Sequence, residues 1–346
     1  MNTVEPGIPH SRPDITSEDV SAVECVLRSG MVAAGEKVGE FERAVASTSR
    51  AAGAVATSSG TAALTLALES LELPRGAEVI IPTYVCRNVR DAVLQGGFRP
   101  VLCDVGEHWN ITPETVAPHV GMRTGAIIVV HTFGIAADVQ ALECFGIPVV
   151  EDACQAFGLD VNGRMAGTIG DVGVYSFHAT KCLCTAEGGA VITSRPGLLQ
   201  RIRDGGIAAG MSDLQAALGL SQLARYSTML DRRRELAEMY FQILAPLGPA
   251  LPVHVRDKSI FFRFPLLLQQ LDFDILRVAF ERDGVHVRRG VDTLLHRQAL
   301  CPDAEFPAAT DLFSRTLSIP LHPSLTQDET LRLTESVLRL VMSSCV

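Results

Sequence analysis

Lysine is scarce in this chain: Lys37, Lys181 and Lys258 are the only ones among 30 basic side chains. Lys181 closes the segment Tyr175-Ser176-Phe177-His178-Ala179-Thr180-Lys181, just past an apolar run with the character of a buried strand. Apolar surroundings disfavour an ammonium, and the free amine they leave can attack a carbonyl carbon. A solvated lysine with no role is the ordinary alternative, so the neighbouring segments must decide.

Three other segments bear on that choice. Ser58-Ser59-Gly60-Thr61-Ala62 lies between a strand and a helix, where small residues and free amides favour a phosphate. The same residues also make an ordinary helix cap. The segment lacks both the glycine spacing of a dinucleotide fingerprint and the Gly-Lys of a P-loop. Val149-Val150-Glu151-Asp152-Ala153-Cys154-Gln155 ends a buried strand with two acids, and ionised carboxylates there need partners. A protonated heterocyclic nitrogen would be one partner for Asp152, with Gln155 reaching a ring oxygen; a structural aspartate capping the next helix is the other reading. Glu187-Gly188-Gly189-Ala190 provides a tight turn into the following strand. The Ser176 hydroxyl has the position to meet the same phosphate as Thr61.

All four segments sit at or beside strand ends, where open parallel sheets bind ligands. Apolar runs at 54–57, 78–81, 99–103, 125–130, 148–151, 172–177 and 190–193 read as strands. Thr61–Leu71 reads as a buried helix and another helix ends near Leu94. Strands separated by helices predict a mainly parallel sheet covered on both faces, an α/β three-layer sandwich. Asp213–Leu244 reads as one long helix connecting domains. Beyond it, strands at 260–268 and 285–288 and helices at 274–282 and 327–342 suit a smaller C-terminal α+β domain. The expected division is residues 1–225 and 226–346.

Composition narrows the classes. The chain has 346 residues, of which 47% are hydrophobic and 20% charged, so a globular protein of two domains is expected. A net charge of −9 without a long basic run argues against nucleic acid as a partner. No apolar run approaches the ~20 residues that cross a bilayer, and the first residues lack signal-peptide regions, so a cytoplasmic location without membrane partners is expected. Nine scattered cysteines, an odd number, read as reduced thiols rather than as a zinc site or disulfide framework.

In chain order the motifs are Arg12-Pro13, Ser29-Gly30 through Phe41-Glu42, Ser59-Gly60-Thr61-Ala62-Ala63-Leu64, Ile81-Pro82-Thr83-Tyr84 and His131-Thr132-Phe133-Gly134. They continue with Glu151-Asp152-Ala153, Ser176 to Lys181, Ala186-Glu187-Gly188-Gly189, Leu214-Gln215-Ala216-Ala217 and Leu317-Ser318-Ile319-Pro320-Leu321-His322. Taken together the chain resembles the DegT/StrS-type nucleotide-sugar aminotransferases, fold-type I pyridoxal-phosphate enzymes with an aspartate-aminotransferase-like large domain. The resemblance implies pyridoxal 5'-phosphate carried as a Schiff base on Lys181, which then moves protons, with Asp152 keeping the pyridine nitrogen charged. It implies Gln155 at the ring hydroxyl, and Gly60, Thr61, Ser176 and the Ala62 amide at the phosphate. The implied reaction passes an amino group from glutamate or glutamine to a keto-sugar nucleotide or keto-cyclitol, in a homodimer.

Three positions depart from the family pattern. Cys86 stands where an aromatic usually covers the ring, and its thiol offers a softer contact. The segment 205–213 lacks the asparagine that reaches the neighbouring subunit's phosphate. Arg87-Asn88 replace small residues, as substrate-recognition groups or as a solvated helix start. A sugar dehydratase of this fold would carry histidine in place of Lys181, and neither Cys182 nor Cys184 has the setting of a desulfurase cysteine. A relative turned sensor or partner subunit is the non-enzymatic alternative.

Overall fold

Residues 7–205, 210–269 and 272–344 are described by a computed structural model of the chain. Two helices, α1 (Ser17–Ser29) and α2 (Glu36–Thr48), precede the first strand, β1 (Gly53–Thr57). There follow α3 (Gly60–Ser70), β2 (Glu78–Pro82), α4 (Arg87–Gln95), β3 (Arg99–Cys103), α5 (Pro113–Val116), β4 (Thr124–Val130) and β5 (Val149–Asp152). A short hairpin of β6 (Asp160–Val161) and β7 (Arg164–Met165) leads to β8 (Val172–Ser176), β9 (Gly189–Thr193) and α6 (Pro196–Gly205). One seven-stranded sheet results, in the order β1-β9-β8-β5-β4-β2-β3. β9 runs antiparallel to both its neighbours and the other pairings are parallel.

Successive side chains of a strand point to opposite faces, and the packing follows that rule. Val79, Ile81, Ile128, Val150 and Val174 face a core shared with α3, α4 and α6. Ile80, Ile127, Val129 and Val149 face the other side, where Trp109 and Phe133 pack. On that same side Tyr175 and Phe177 meet Phe41 of α2. The three-layer arrangement expected from the alternating apolar runs is therefore the observed one.

The C-terminal part departs from expectation in three respects. The long helix expected over 213–244 is two helices, α7 (Asp213–Leu223) and α8 (Tyr226–Ile243). At the break Arg225 leaves helical geometry and donates to the Asp14 and Asp19 side chains, at 2.5 and 2.6 Å. That tertiary tie, not a local breaker residue, ends the first helix. Tyr226, Met229 and Leu230 of α8 belong to the large core, whereas Leu236, Ala237 and Tyr240 join a second core.

The second core surrounds a three-stranded sheet of β10 (Phe264–Leu267), β12 (Thr316–Ile319) and β11 (Arg288–Arg289), in that spatial order. Helices α9 (Phe273–Arg282) and α12 (Gln327–Ser344) complete it, whereas α10 (Leu295–Gln298) and α11 (Pro307–Arg315) pack on the cores of the large sheet. β10 is shorter than the expected strand 260–268 because Phe261 adopts φ 52°. That left-handed turn frees Phe262 and Arg263 from the sheet ladder. Val285, also expected in a strand, instead bridges Ile8 of the N-terminal segment. No helix among the described residues is long and apolar enough to cross a membrane.

Candidate active site

The loop carrying Lys181 is a closed hairpin between β8 and β9. Phe177 N–H donates to Gly188 O (2.8 Å), Thr185 N–H to Phe177 O (2.8 Å) and Ala179 N–H to Ala186 O (2.9 Å). Lys181 N–H closes a turn on His178 O at 2.8 Å. These bonds aim a half-buried side chain whose Nζ stands 5.1 Å from the centroid of the Phe262 ring. Among the described residues no carboxylate lies within 4 Å of this amine and no group accepts a hydrogen bond from it. It is uncommitted.

The two acids of β5 part company because adjacent residues face opposite sides of the sheet. Glu151 is fully buried and fully engaged. It accepts from Gly167 N–H (2.8 Å), from Gly170 N–H (2.5 Å), from Ile169 N–H and from His131 Nε2 (3.0 Å). Ala137 N–H donates to His131 Nδ1, so the proton of this imidazole sits on Nε2, toward Glu151. Gly173 lets the loop press down on Glu151, since a Cβ there would stand 1.9 Å from Gly167 O.

Asp152 shares its face with Val150 and hence with α3. Its Oδ1 accepts from Cys154 N–H at 3.0 Å, and its Oδ2 has no partner among the described residues. A nearly buried carboxylate with one oxygen unmet is a site for an external cation or N–H.

Ser176 ends β8 on the same face, directly against the start of α3. A Cβ on Gly60 would stand 2.8 Å from Ser176 Cβ and 3.1 Å from its Oγ. The Ser59 side chain caps α3 by accepting from Ala62 N–H at 3.1 Å. The Ala62 amide, expected as a phosphate donor, is thus already engaged, and the amides of Gly60 and Thr61 are the free pair at this helix N-terminus. Asn88 Nδ2 donates to Thr61 Oγ1 at 3.2 Å, a contact not foreseen from the sequence. Arg87 is a solvated helix start, paired with Asp91 one turn on.

Gln155 Oε1 accepts from Phe133 N–H at 2.9 Å, which fixes the amide so that its NH2 remains free to donate. Cys86 is the exposed N-cap residue of α4. Burial pushes its thiol up, the Asp152 charge adds to that and Lys181 opposes it. Cys154 is pushed well up by burial and by Asp152, again against Lys181. Both thiols thus feel Asp152 and Lys181. Residues 206–209 of the segment lacking the family asparagine are outside the described residues.

The sequence profile of the DegT/DnrJ/EryC1/StrS aminotransferase family matches residues 13–338. The chain belongs to this family. As a family member it is a pyridoxal-phosphate-dependent sugar aminotransferase. It is 31% identical to the spore coat polysaccharide biosynthesis protein SpsC of Bacillus subtilis, over 96% of this chain and 97% of that one. It is 28% identical to the GDP-perosamine synthase of Vibrio cholerae, over 93% and 96% of the two chains. The solved structure of the aminotransferase TlmJ from Streptoalloteichus hindustanus superposes with a TM-score of 0.91 at 28% identity, covering 98% of this chain and all of TlmJ.

The groups present fit the cofactor of such an aminotransferase. A free amine, a carboxylate oxygen without a partner, two unspent helix-terminal amides and a free carboxamide NH2 lie along one sheet edge. They match, in turn, an aldehyde carbon, a ring nitrogen, a phosphate and a ring oxygen. Phe262 and Phe133, which contact Lys181 and Gln155, were not foreseen as site residues, because Phe262 read as part of a strand.

Proposed function

We propose that this aminotransferase converts a keto-sugar nucleotide, or a related keto-cyclitol, to the amino sugar with glutamate or glutamine as donor. What supports the reading is the uncommitted Lys181 amine together with the half-satisfied Asp152 carboxylate. Pyridoxal phosphate supplies an electron sink for the carbon that gains or loses nitrogen. Lys181 is the amine that carries it and the base that moves the proton at that carbon. Asp152 orients and charges the ring nitrogen, and Gln155 donates to the ring oxygen. Gly60, Thr61 and Ser176 hold the phosphate, and Cys86 packs at the ring in place of an aromatic. The name of the Vibrio cholerae relative, with its GDP-linked sugar, supports a nucleotide-bound acceptor.

The same reading makes the protein a cytoplasmic homodimer, with a large cofactor-binding domain to residue 225 and a smaller one from 226. The α7–α8 break at that point supports the division. A non-catalytic sensor has less support, because each group the chemistry requires is present and unblocked.

The test is a two-stage spectral assay. Glutamate or glutamine should remove the visible band of the loaded enzyme, and the matching keto-sugar nucleotide from a panel should restore it. A loaded enzyme that no amino donor bleaches would refute the reading. Ser176→Ala should weaken cofactor affinity by about 1 kcal/mol, roughly fivefold in Kd, if one hydrogen bond is lost. An unchanged Kd in an equilibrium titration would remove Ser176 from the phosphate site.

A further inference from the structure

Arg263 is the only charged residue in the apolar stretch Ile260–Leu268. After the turn at Phe261 its Cζ stands 5.4 Å from the centroid of the Phe262 ring, the ring that Lys181 also faces. Its Nη1 donates to Gly290 O at 3.1 Å. Among the described residues no carboxylate lies within 4 Å of this guanidinium, and neither Nε nor Nη2 has an acceptor. Burial first, then the Arg288 charge, lowers its pKa to about 10, with Asp292 opposing. A cation so placed is costly unless something pairs with it.

A second polar group beside it is sealed from solvent. The Tyr84 hydroxyl is completely buried and has no hydrogen-bond partner among the described residues. The Trp109 indole and the Thr316 hydroxyl near it bond to each other, at 3.0 Å. Gly290 joins the two groups: its carbonyl takes Arg263, and a Cβ on it would stand 2.0 Å from Tyr84 Oη. Only glycine leaves that hydroxyl in place.

We propose that Arg263, supported by Tyr84, is a subsite for a carboxylate of the substrate that reacts at Lys181. With Nη1 spent on Gly290, the free edge is Nε and Nη2, whose N–H bonds run parallel and match both oxygens of a carboxylate. The α-carboxylate of the amino donor is one bond from the reacting carbon and is the first source; an acidic group on the sugar acceptor is the second. The proposal rests on the preceding reading of Lys181 as the reactive amine.

Glutarate, a dicarboxylate with no amine to transfer, is the probe. Its binding is measured by calorimetry on the protein with and without cofactor, alongside the two half-reactions. Arg263→Met should weaken glutarate binding about 10- to 100-fold, as expected for losing a charge-assisted pair. Tyr84→Phe should weaken it less. In Arg263→Gly, added guanidinium ion should restore part of the loss, which a merely structural role would not allow. Melting curves and the cofactor band report folding, and Arg263→Lys, which keeps the charge without the fork, replaces the Met variant if that fails to fold. A defect confined to the glutamate half-reaction assigns the donor carboxylate; one confined to the sugar half-reaction assigns an acid on the acceptor. Unchanged glutarate affinity and unchanged half-reactions in a folded variant overturn the proposal. Glutarate binding through Arg263 in a protein that never shows a cofactor band would leave the subsite standing and sink the aminotransferase reading instead.

Discussion

Lys181→Ala is expected to abolish the visible absorption of the loaded enzyme and to cut turnover by about four orders of magnitude or more. The size follows from two roles lost together. Without the amine the cofactor has no covalent hold, and no other described side chain can replace the base at the reacting carbon. Lys37 is tied to Glu40 on the exposed start of α2, and Lys258 lies in the exposed segment beside Ala136. The His178 ring is engaged by the Thr180 hydroxyl and Glu187. The phosphate contacts are untouched, so the variant should still bind the free cofactor, though more weakly. Absorbance and single-turnover rate measured on one preparation check both parts. Turnover within tenfold of the parent would remove Lys181 from the chemistry.

The second large effect is expected from Asp152→Asn: turnover reduced by about two to three orders of magnitude with the fold intact. The substitution keeps the oxygen that accepts from Cys154 N–H, so the end of β5 should hold its shape. What changes is Oδ2, where an NH2 replaces an oxygen that has no partner among the described residues. That group repels a protonated ring nitrogen, and the electron sink weakens with loss of the proton. The neighbouring thiols report the same change independently. Cys86 and Cys154 are both raised partly by the Asp152 charge, so both should become more acidic in the variant, and their alkylation at a fixed pH should quicken. Activity near the parent value would contradict the assigned role.

Much of the molecule is legible in its sequence. Strands buried on both faces must be apolar throughout, so the runs at 99–103 and 125–130 announce themselves, and the breaks between them fix a parallel α/β sheet. The candidate site stands out in the sequence because its groups are chemically rare or costly there: one of three lysines just past a buried strand, two acids ending another, and small residues opening a helix. The order of these motifs along the chain was enough to identify the family.

Other features depend on contacts distant in sequence. Glu151 and Asp152 look alike on the page, and only strand parity gives one to His131 and the 167–170 amides while leaving the other half-free. The split of 213–244 into two helices is set by Asp14 and Asp19, some 200 residues upstream. The Ala62 amide is spent on its own cap, a matter of rotamer and not of residue type. Arg263 did carry a signal, a lone charge in an apolar stretch, but whether such a charge finds a counter-ion is decided only when the second core folds against the first. Residue types thus determine which groups the protein has to spend. The tertiary structure decides which of them are already paired with each other, and the unpaired remainder is what can act on a substrate.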